Sequence, residues 1–286
     1  MNVLEARAIL FASIEGGSSF WSREIDSLGP LGVVERARDD GYDLAKFEKT
    51  LQKINTSNPS QILEKIVLSG GTFLTREDPF WPEQLDDLVA PPIGLVAKGA
   101  PEVLQLRSLA IVGTRNPTNY GVRVAGDFAA GFVDREWAII SGGAYGIDAA
   151  AHRGALVAEG ITIAVLAAGI DINYPAGHMR LFEEITENGL IVSEVMPGTS
   201  AVPSRFLTRN RLIAALSRAT LVVEAAFRSG SLRTARDAAE LLRPVMAIPG
   251  PITSPTSEGC HRLIGERAAE VVTSVADALE FVSSSK

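Results

Sequence analysis

Three glycine-containing turns with polar side chains each follow a short apolar run of the sequence. The residues concerned are Gly113, Thr114, Arg115, Ser141, Gly142, Gly143, Ser229 and Gly230. Backbone N–H groups at such turns can bind an anion, and a glycine lets a phosphate oxygen approach the main chain closely. Three such turns on one edge of a sheet predict a phosphate site. The alternative for any one of them is that its glycines only make the turn tight.

An arginine-rich segment lies between the second and third of these turns. It contains Phe206, Arg209, Asn210 and Arg211. Guanidinium groups can hold phosphate oxygens with two parallel hydrogen bonds, and an aromatic ring can stack on a base. The segment therefore predicts contacts to a nucleic-acid strand. The alternative is a solvated basic helix end with Phe206 in the core.

The turns do not match the usual nucleotide fingerprints. There is no G-x-G-x-x-G after the first apolar run and no G-x-x-x-x-G-K-[ST] in the chain. An acid that would hold a ribose after the second run is also absent. These absences disfavour NAD, FAD and ATP, so no cofactor is predicted. A ligand that presents several phosphates along a chain fits better, and single-stranded DNA is the predicted ligand.

Residues that could perform catalysis are few. Asp148 and His152 are four apart and would share a helix face, as an acid–base pair or as half of a metal site. The alternative is that both form hydrogen bonds to neighbouring turns. Cys260 and His261 could suggest a thiolate nucleophile, but adjacent side chains rarely point the same way. We predict no catalytic residue, no metal site and no enzymatic activity.

The elements that position these residues begin near residue 107. Short apolar, often β-branched runs alternate there with amphipathic helical stretches, which is typical of a parallel sheet covered on both faces. The predicted fold class is α/β, an extended Rossmann-like doubly wound and mostly parallel sheet preceded by a small helical domain. We predict three segments: helical 1–68, an irregular proline-rich bridge 69–106, and the Rossmann-like domain 107–286. Within that domain, strands are predicted at Ala138–Ser141 and Leu190–Ser193, and a helix is predicted to begin near Thr208. The N-terminal helices are predicted to break at Gly29-Pro30. No C-terminal winged helix is expected.

Composition and charge set further limits. The net charge is −7, which argues mildly against nucleic-acid binding, but Ala201–Val223 contains four arginines and no acid. No signal peptide and no apolar run long enough to cross a membrane is visible. Cys260 is the single cysteine, which excludes an internal disulfide. A cytoplasmic location is expected.

Several motifs together resemble the DNA-processing protein A (DprA/Smf) family of bacteria. They are Gly113-Thr114-Arg115, Ser141-Gly142-Gly143-Ala144, Gly146-Ile147-Asp148, Tyr174-Pro175, Arg209-Asn210-Arg211, Ser229-Gly230-Ser231-Leu232 and Pro249-Gly250. The resemblance implies a single-stranded DNA-binding mediator, usually a homodimer, that protects incoming DNA and loads a RecA-type recombinase during natural transformation. It also implies a DNA pocket around Arg115, Ser141 to Gly143, and Arg209 to Arg211. We place the dimer contact at Gly259–Ile264.

The chain departs from this family pattern at several positions. Ala176 and Gly177 follow Pro175 where members often carry a basic residue, and His261 and Arg267 stand where asparagine and glycine are common. A rival hypothesis is a nucleoside-monophosphate phosphoribohydrolase-like enzyme with Glu194 or Glu224 as its base. The P-G-G-x-G-T turn of those enzymes is missing. A third hypothesis is a scaffold that binds a recombinase and has an incidental phosphate site.

Overall fold

A computed structural model describes residues 1–284. Its centre is a sheet of nine strands in the order β1-β2-β6-β5-β4-β3-β7-β8-β9. The strands are β1 Thr72–Leu74, β2 Leu95–Gly99, β3 Ser108–Gly113, β4 Ala138–Ser141, β5 Thr162–Leu166, β6 Leu190–Ser193, β7 Ala219–Val223, β8 Val245–Ala247 and β9 Glu270–Val271. Strands β3 to β9 pair in parallel, whereas β2 is antiparallel to both β1 and β6. The predicted mostly parallel α/β fold is confirmed.

Helices cover both faces of the sheet. They are α1 Val3–Ser13, α2 Ser19–Arg38, α3 Leu44–Thr56, α4 Pro59–Leu68, α5 Asn119–Val133, α6 Ile147–Val157, α7 Met179–Asn188, α8 Pro203–Leu216, α9 Ser231–Glu240, α10 Glu258–Gly265 and α11 Val275–Ser284. Within residues 1–284, no helix combines the length and the apolar character that crossing a membrane requires.

Side chains of the central strands alternate between the two faces, as the period of a strand requires. In β5, Ile163 and Val165 join the core beneath α8, whereas Ala164 and Leu166 join the core beneath α7 and the N-terminal helices. Because β5 is apolar on both faces, it can lie only in the middle of such a layered structure. Strands in this position bring their C-terminal ends to a single edge of the sheet.

The four N-terminal helices pack directly on the sheet. Ile9 and Leu10 of α1 belong to the same buried cluster as Phe73 of β1, Val96 of β2 and Ile191 of β6. The helices are therefore continuous with one core of the α/β unit. An ion pair adds to this packing, because the buried Arg7 guanidinium donates to the Glu77 carboxylate at 2.7 Å.

The structure differs from the sequence-based expectations in three elements. The segment 69–106, predicted to be irregular, contributes β1 and β2 to the sheet, because its prolines all lie outside these two short strands. Helix α2 continues past Gly29 and Pro30 with a kink, since Gly29 takes a positive φ of 70° there. Helix α8 begins at Pro203 rather than near Thr208, and proline suits the first helical position.

Candidate nucleic-acid interface

A cavity of about 690 Å³ lies at the C-terminal edge of the sheet. Two of the predicted turns and the arginine-rich segment meet in it. The predicted residues that line it are Gly113, Thr114, Arg115, Phe206, Arg209, Asn210, Ser229 and Gly230. They come from the loop after β3, from α8, and from the loop after β7. The cavity thus lies where ligands bind in open parallel sheets, beyond the C-terminal ends of the strands.

Arg115 and Phe206 form one wall of this cavity. The Arg115 guanidinium carbon lies 5.1 Å from the centroid of the Phe206 ring. The centroids of the Tyr174 and Phe206 rings are 5.4 Å apart. Arg115 is exposed and, within the described part of the chain, has no carboxylate partner. Its contact with the ring orients the guanidinium without using its hydrogen-bond donors. Those donors are available to a phosphate.

Arg209 lies in the floor of the cavity, and its residue is only 6% exposed. Its Nη1 donates to the Val165 carbonyl at 2.9 Å. Burial lowers the pKa of Arg209 to about 10, while the nearby Asp148 carboxylate opposes that change. Gly142 packs so closely on this guanidinium that a Cβ at position 142 would overlap it. The glycine at 142 is therefore required by the arginine beneath the cavity.

The turn Ser141 to Gly143 supports the cavity from below and does not line it. The N–H groups of Gly142 and Ala144 donate to one carboxylate oxygen of Asp148, at 3.2 and 3.3 Å. Asp148 is in the first turn of α6, where the positive end of the helix favours a negative charge. Burial nevertheless raises the pKa of Asp148, opposed mainly by Arg209. The Gly142 N–H, which was predicted to hold a phosphate, thus has an acceptor within the protein.

The other two polar residues of the arginine-rich segment are also held by the protein. Arg211 donates from Nη2 to the Glu194 carboxylate at 2.5 and 2.6 Å, and from Nη1 to the Ala90 carbonyl at 2.9 Å. It does not line the cavity. Asn210 donates from Nδ2 to the Gly230 carbonyl at 3.2 Å and so connects α8 to the third turn. Arg211 is therefore separated from the predicted residues that line the cavity.

Arg228 is a cavity residue that the sequence reasoning missed. It is exposed, lines the cavity beside Ser229 and, within residues 1–284, has no carboxylate partner. A signal was present in the sequence, because Arg228 directly precedes the Ser229-Gly230 turn. Two exposed arginines, Arg115 and Arg228, and the buried Arg209 make this cavity locally basic in a chain whose net charge is −7.

The residues considered as catalytic candidates have other partners. Glu224 accepts from the Thr118 N–H at 2.8 Å and hydroxyl at 2.6 Å, which places its carboxylate at the N-terminus of α5. Glu194 is bound by Arg211, and burial raises its pKa.

The two residues of the candidate acid–base pair, Asp148 and His152, also bind different partners within the protein. His152 forms a 2.7 Å hydrogen bond with the Thr162 hydroxyl, whereas Asp148 holds the Gly142 turn. Burial lowers the pKa of His152 to about 3, so its ring is neutral near neutral pH. In the described residues, His, Cys, Asp and Glu nowhere form a group of three that could hold a metal ion.

The sheet order and the arginine-lined cavity define a Rossmann-like α/β protein with its site at the C-terminal edge of the strands. Residues 72–283 match the family described as DNA recombination-mediator protein A. A relative from Mycobacterium tuberculosis is 43% identical over 270 residues, which cover 89% of this chain and 69% of the relative.

Solved structures agree with this match. The X-ray structure of DNA processing protein A from Streptococcus pneumoniae superposes with a TM-score of 0.85 at 31% identity, over 98% of each chain. DNA processing protein A from Helicobacter pylori, described for its single-stranded DNA binding mode, superposes with a TM-score of 0.67 at 30% identity. That match covers 75% of this chain and 96% of the other. The chain belongs to the DNA recombination-mediator protein A family, which confirms the resemblance to DprA/Smf proteins.

Proposed function

We propose that this protein binds single-stranded DNA in the cavity between the loop after β3, helix α8 and the loop after β7. One observation carries the proposal: Arg115, Arg228 and the Phe206 ring converge there above the buried Arg209. This arrangement combines cations for the phosphates with an aromatic surface for a base, the two elements of sequence-tolerant single-strand binding. Since phosphate contacts carry no sequence information, the preference for base sequence is weak.

The same proposal extends to a biological role and to partners. The protein acts as a homodimer that protects incoming DNA and loads a RecA-type recombinase on it during natural transformation. Membership of the recombination-mediator family supports this role. Helix α10, which contains Gly259–Ile264, supplies the dimer contact, with His261, Arg262 and Ile264 partly exposed on it. Light scattering at a protein concentration of tens of micromolar tests the dimer, and the mass of a monomer would refute it.

Binding titrations with labelled single-stranded DNA, double-stranded DNA and mononucleotides test the DNA site. Arg115→Ala and Arg228→Ala should each weaken single-strand binding about ten- to a hundredfold, the effect of losing one charge-assisted contact. Each should also flatten the slope of log affinity against log salt by about 0.7, because one phosphate is no longer neutralised. Phe206→Ala should weaken binding with little change in that slope.

Arg218→Ala is the matched control. Arg218 is exposed and lies immediately before β7, at the opposite edge of the sheet, so its loss makes the same change in net charge. Equal effects of the Arg115, Arg228 and Arg218 variants would show that only the overall charge matters and would place the strand elsewhere.

The same preparations, incubated with AMP and GMP, should release no base, since Glu194 and Glu224 are both engaged by other side chains.

A further inference from the structure

A second cavity, of about 340 Å³, lies on the other side of the first turns of α8. Its walls include Leu166 at the C-terminal end of β5, Arg205 of α8, and Glu15 in the loop between α1 and α2. Arg209 lines this cavity as well as the first. A single buried guanidinium therefore separates two cavities at the same edge of the sheet.

Arg205, which lines the second cavity, is bound by a carboxylate from the loop between α1 and α2. Its Nη2 lies 2.7 Å from one carboxylate oxygen of Glu15, and its Nε lies 3.2 Å from the other. Hydrogen bonding from Arg205 lowers the pKa of Glu15, so this carboxylate is ionised at neutral pH. Arginine holds a phosphate in the same way, with two oxygens bound to one guanidinium group.

The loop that carries Glu15 fits closely against α8. A Cβ on Gly16 would overlap the Glu194 carboxylate. Gly17 has a positive φ of 80°, and a Cβ there would lie 3.1 Å from the Thr208 side chain. These close approaches hold Glu15 over Arg205, the residue directly before Phe206. Phe206 lines the first cavity and Arg205 the second, so consecutive residues serve the two cavities.

We propose that Arg205 is an additional phosphate-binding residue, and that Glu15 occupies its guanidinium until a strand longer than the first cavity displaces the carboxylate. This inference rests on the proposed function, because it requires a strand in the first cavity. The buried Nε of Arg209, which within residues 1–284 has no hydrogen-bond partner, supplies a donor between the two cavities. A phosphate and the Glu15 carboxylate cannot share one guanidinium fork. The α1–α2 loop therefore competes with long strands and leaves short strands unaffected.

Glu15→Gln is the principal test, since it removes the charge and keeps the shape of the side chain. Binding is measured with a strand of roughly four nucleotides, at the short end of the site sizes of single-strand-binding folds, and with one of about thirty. We expect the variant to bind the long strand about two- to fivefold more tightly, as expected when an exposed ion pair no longer competes. Its salt slope should stay unchanged, because Arg205 neutralises one phosphate of the long strand in both proteins and the carboxylate only competes for that contact. Affinity for the short strand should not change.

Glu136→Gln is the matched control, because it makes the same change in net charge at the opposite edge of the sheet. The Glu136 carboxylate lies 3.9 Å from the Arg107 guanidinium. Glu136 precedes β4 and Arg107 precedes β3. The variant should change neither the affinity for the long strand nor the salt slope. In the double variant Glu15→Gln with Arg205→Ala, the gain should disappear, since the guanidinium that would receive the phosphate is gone.

Amide chemical shifts give a second readout on the unaltered protein. Binding of the long strand should shift the amide resonances of Gly16 and Gly17, because their loop leaves α8, whereas the short strand should not. If Glu15→Gln behaves like Glu136→Gln and these resonances stay the same, the inference is overturned while binding that depends on Arg115 stands. If the unaltered protein binds neither strand, the proposed function itself is overturned.

Discussion

Arginines that look equivalent in the sequence have different roles in the structure. Arg115 is exposed beside Phe206, Arg209 is buried under the cavity, and Arg211 is bound to Glu194. The groups that hold the last two, the Val165 carbonyl and the Glu194 carboxylate, lie 44 and 17 residues away in sequence, and no local pattern identifies such contacts. The sequence could therefore predict which segment contributes to the site, but not which of its guanidinium groups is available to a ligand.

Arg211→Ala should affect stability much more than the electrostatics of DNA binding. Removing Arg211 leaves the Glu194 carboxylate buried without its cation, a change that typically costs about 3–5 kcal/mol. We expect a clear loss in the free energy of unfolding, measured by chemical denaturation. The protein that remains folded should keep the salt slope of DNA binding, since Arg211 does not line the cavity. A stable variant whose slope is flatter by about 0.7 would instead make Arg211 a phosphate contact.

The individual helices and strands were predictable where their apolar residues recur at regular spacing. Strands β4 and β6 have the predicted bounds Ala138–Ser141 and Leu190–Ser193. Strands β1 and β2 were missed because they lie in a proline-rich segment and pair antiparallel at one end of the sheet. The continuation of α2 past Gly29-Pro30 was missed too, since this pair normally ends a helix and here only bends it.

The C-terminal end of α8 depends on one side chain from a loop. Arg243 donates from Nη1 to the carbonyls of Ala214, Ala215 and Ser217, and from Nη2 to the Gln84 carbonyl at 3.2 Å. A cation at this position satisfies carbonyls that the helix leaves without partners and complements its negative end. Arg243 thus holds α8, and with it Phe206 and Arg209, against the segment before β2.

Arg243→Ala should lower the free energy of unfolding by roughly 2–4 kcal/mol, because several part-buried carbonyls lose a charged donor. Thermal or urea denaturation measures the loss. Arg236→Ala is the control: Arg236 is exposed on α9 and has no partner in the part of the chain described. Its removal should change stability by less than about 0.5 kcal/mol. Equal stabilities of the two variants would mean that water replaces Arg243 at the end of α8.

At the scale of the whole molecule, the N-terminal helices and the sheet share a hydrophobic core. Removing residues 1–68 would expose Phe73, Val96 and Ile191 to water. We expect the shortened chain to bind a hydrophobic dye and to aggregate. The intact chain should unfold in one cooperative transition by both circular dichroism and tryptophan fluorescence. A well-behaved fragment that melts at the temperature of the intact protein would show that the helices form an independent domain.

The two ends of the nine-stranded sheet also limit how molecules of this protein can associate. Strand β1 at one end has three residues, and β9 at the other has two. A neighbouring molecule that added a strand to either end would gain only a few main-chain hydrogen bonds. Extended fibre-like stacking is therefore disfavoured even at high local concentrations of the protein. Contacts between molecules are therefore expected to use helix side chains rather than the edges of the sheet, and side-chain contacts can be specific for a single partner.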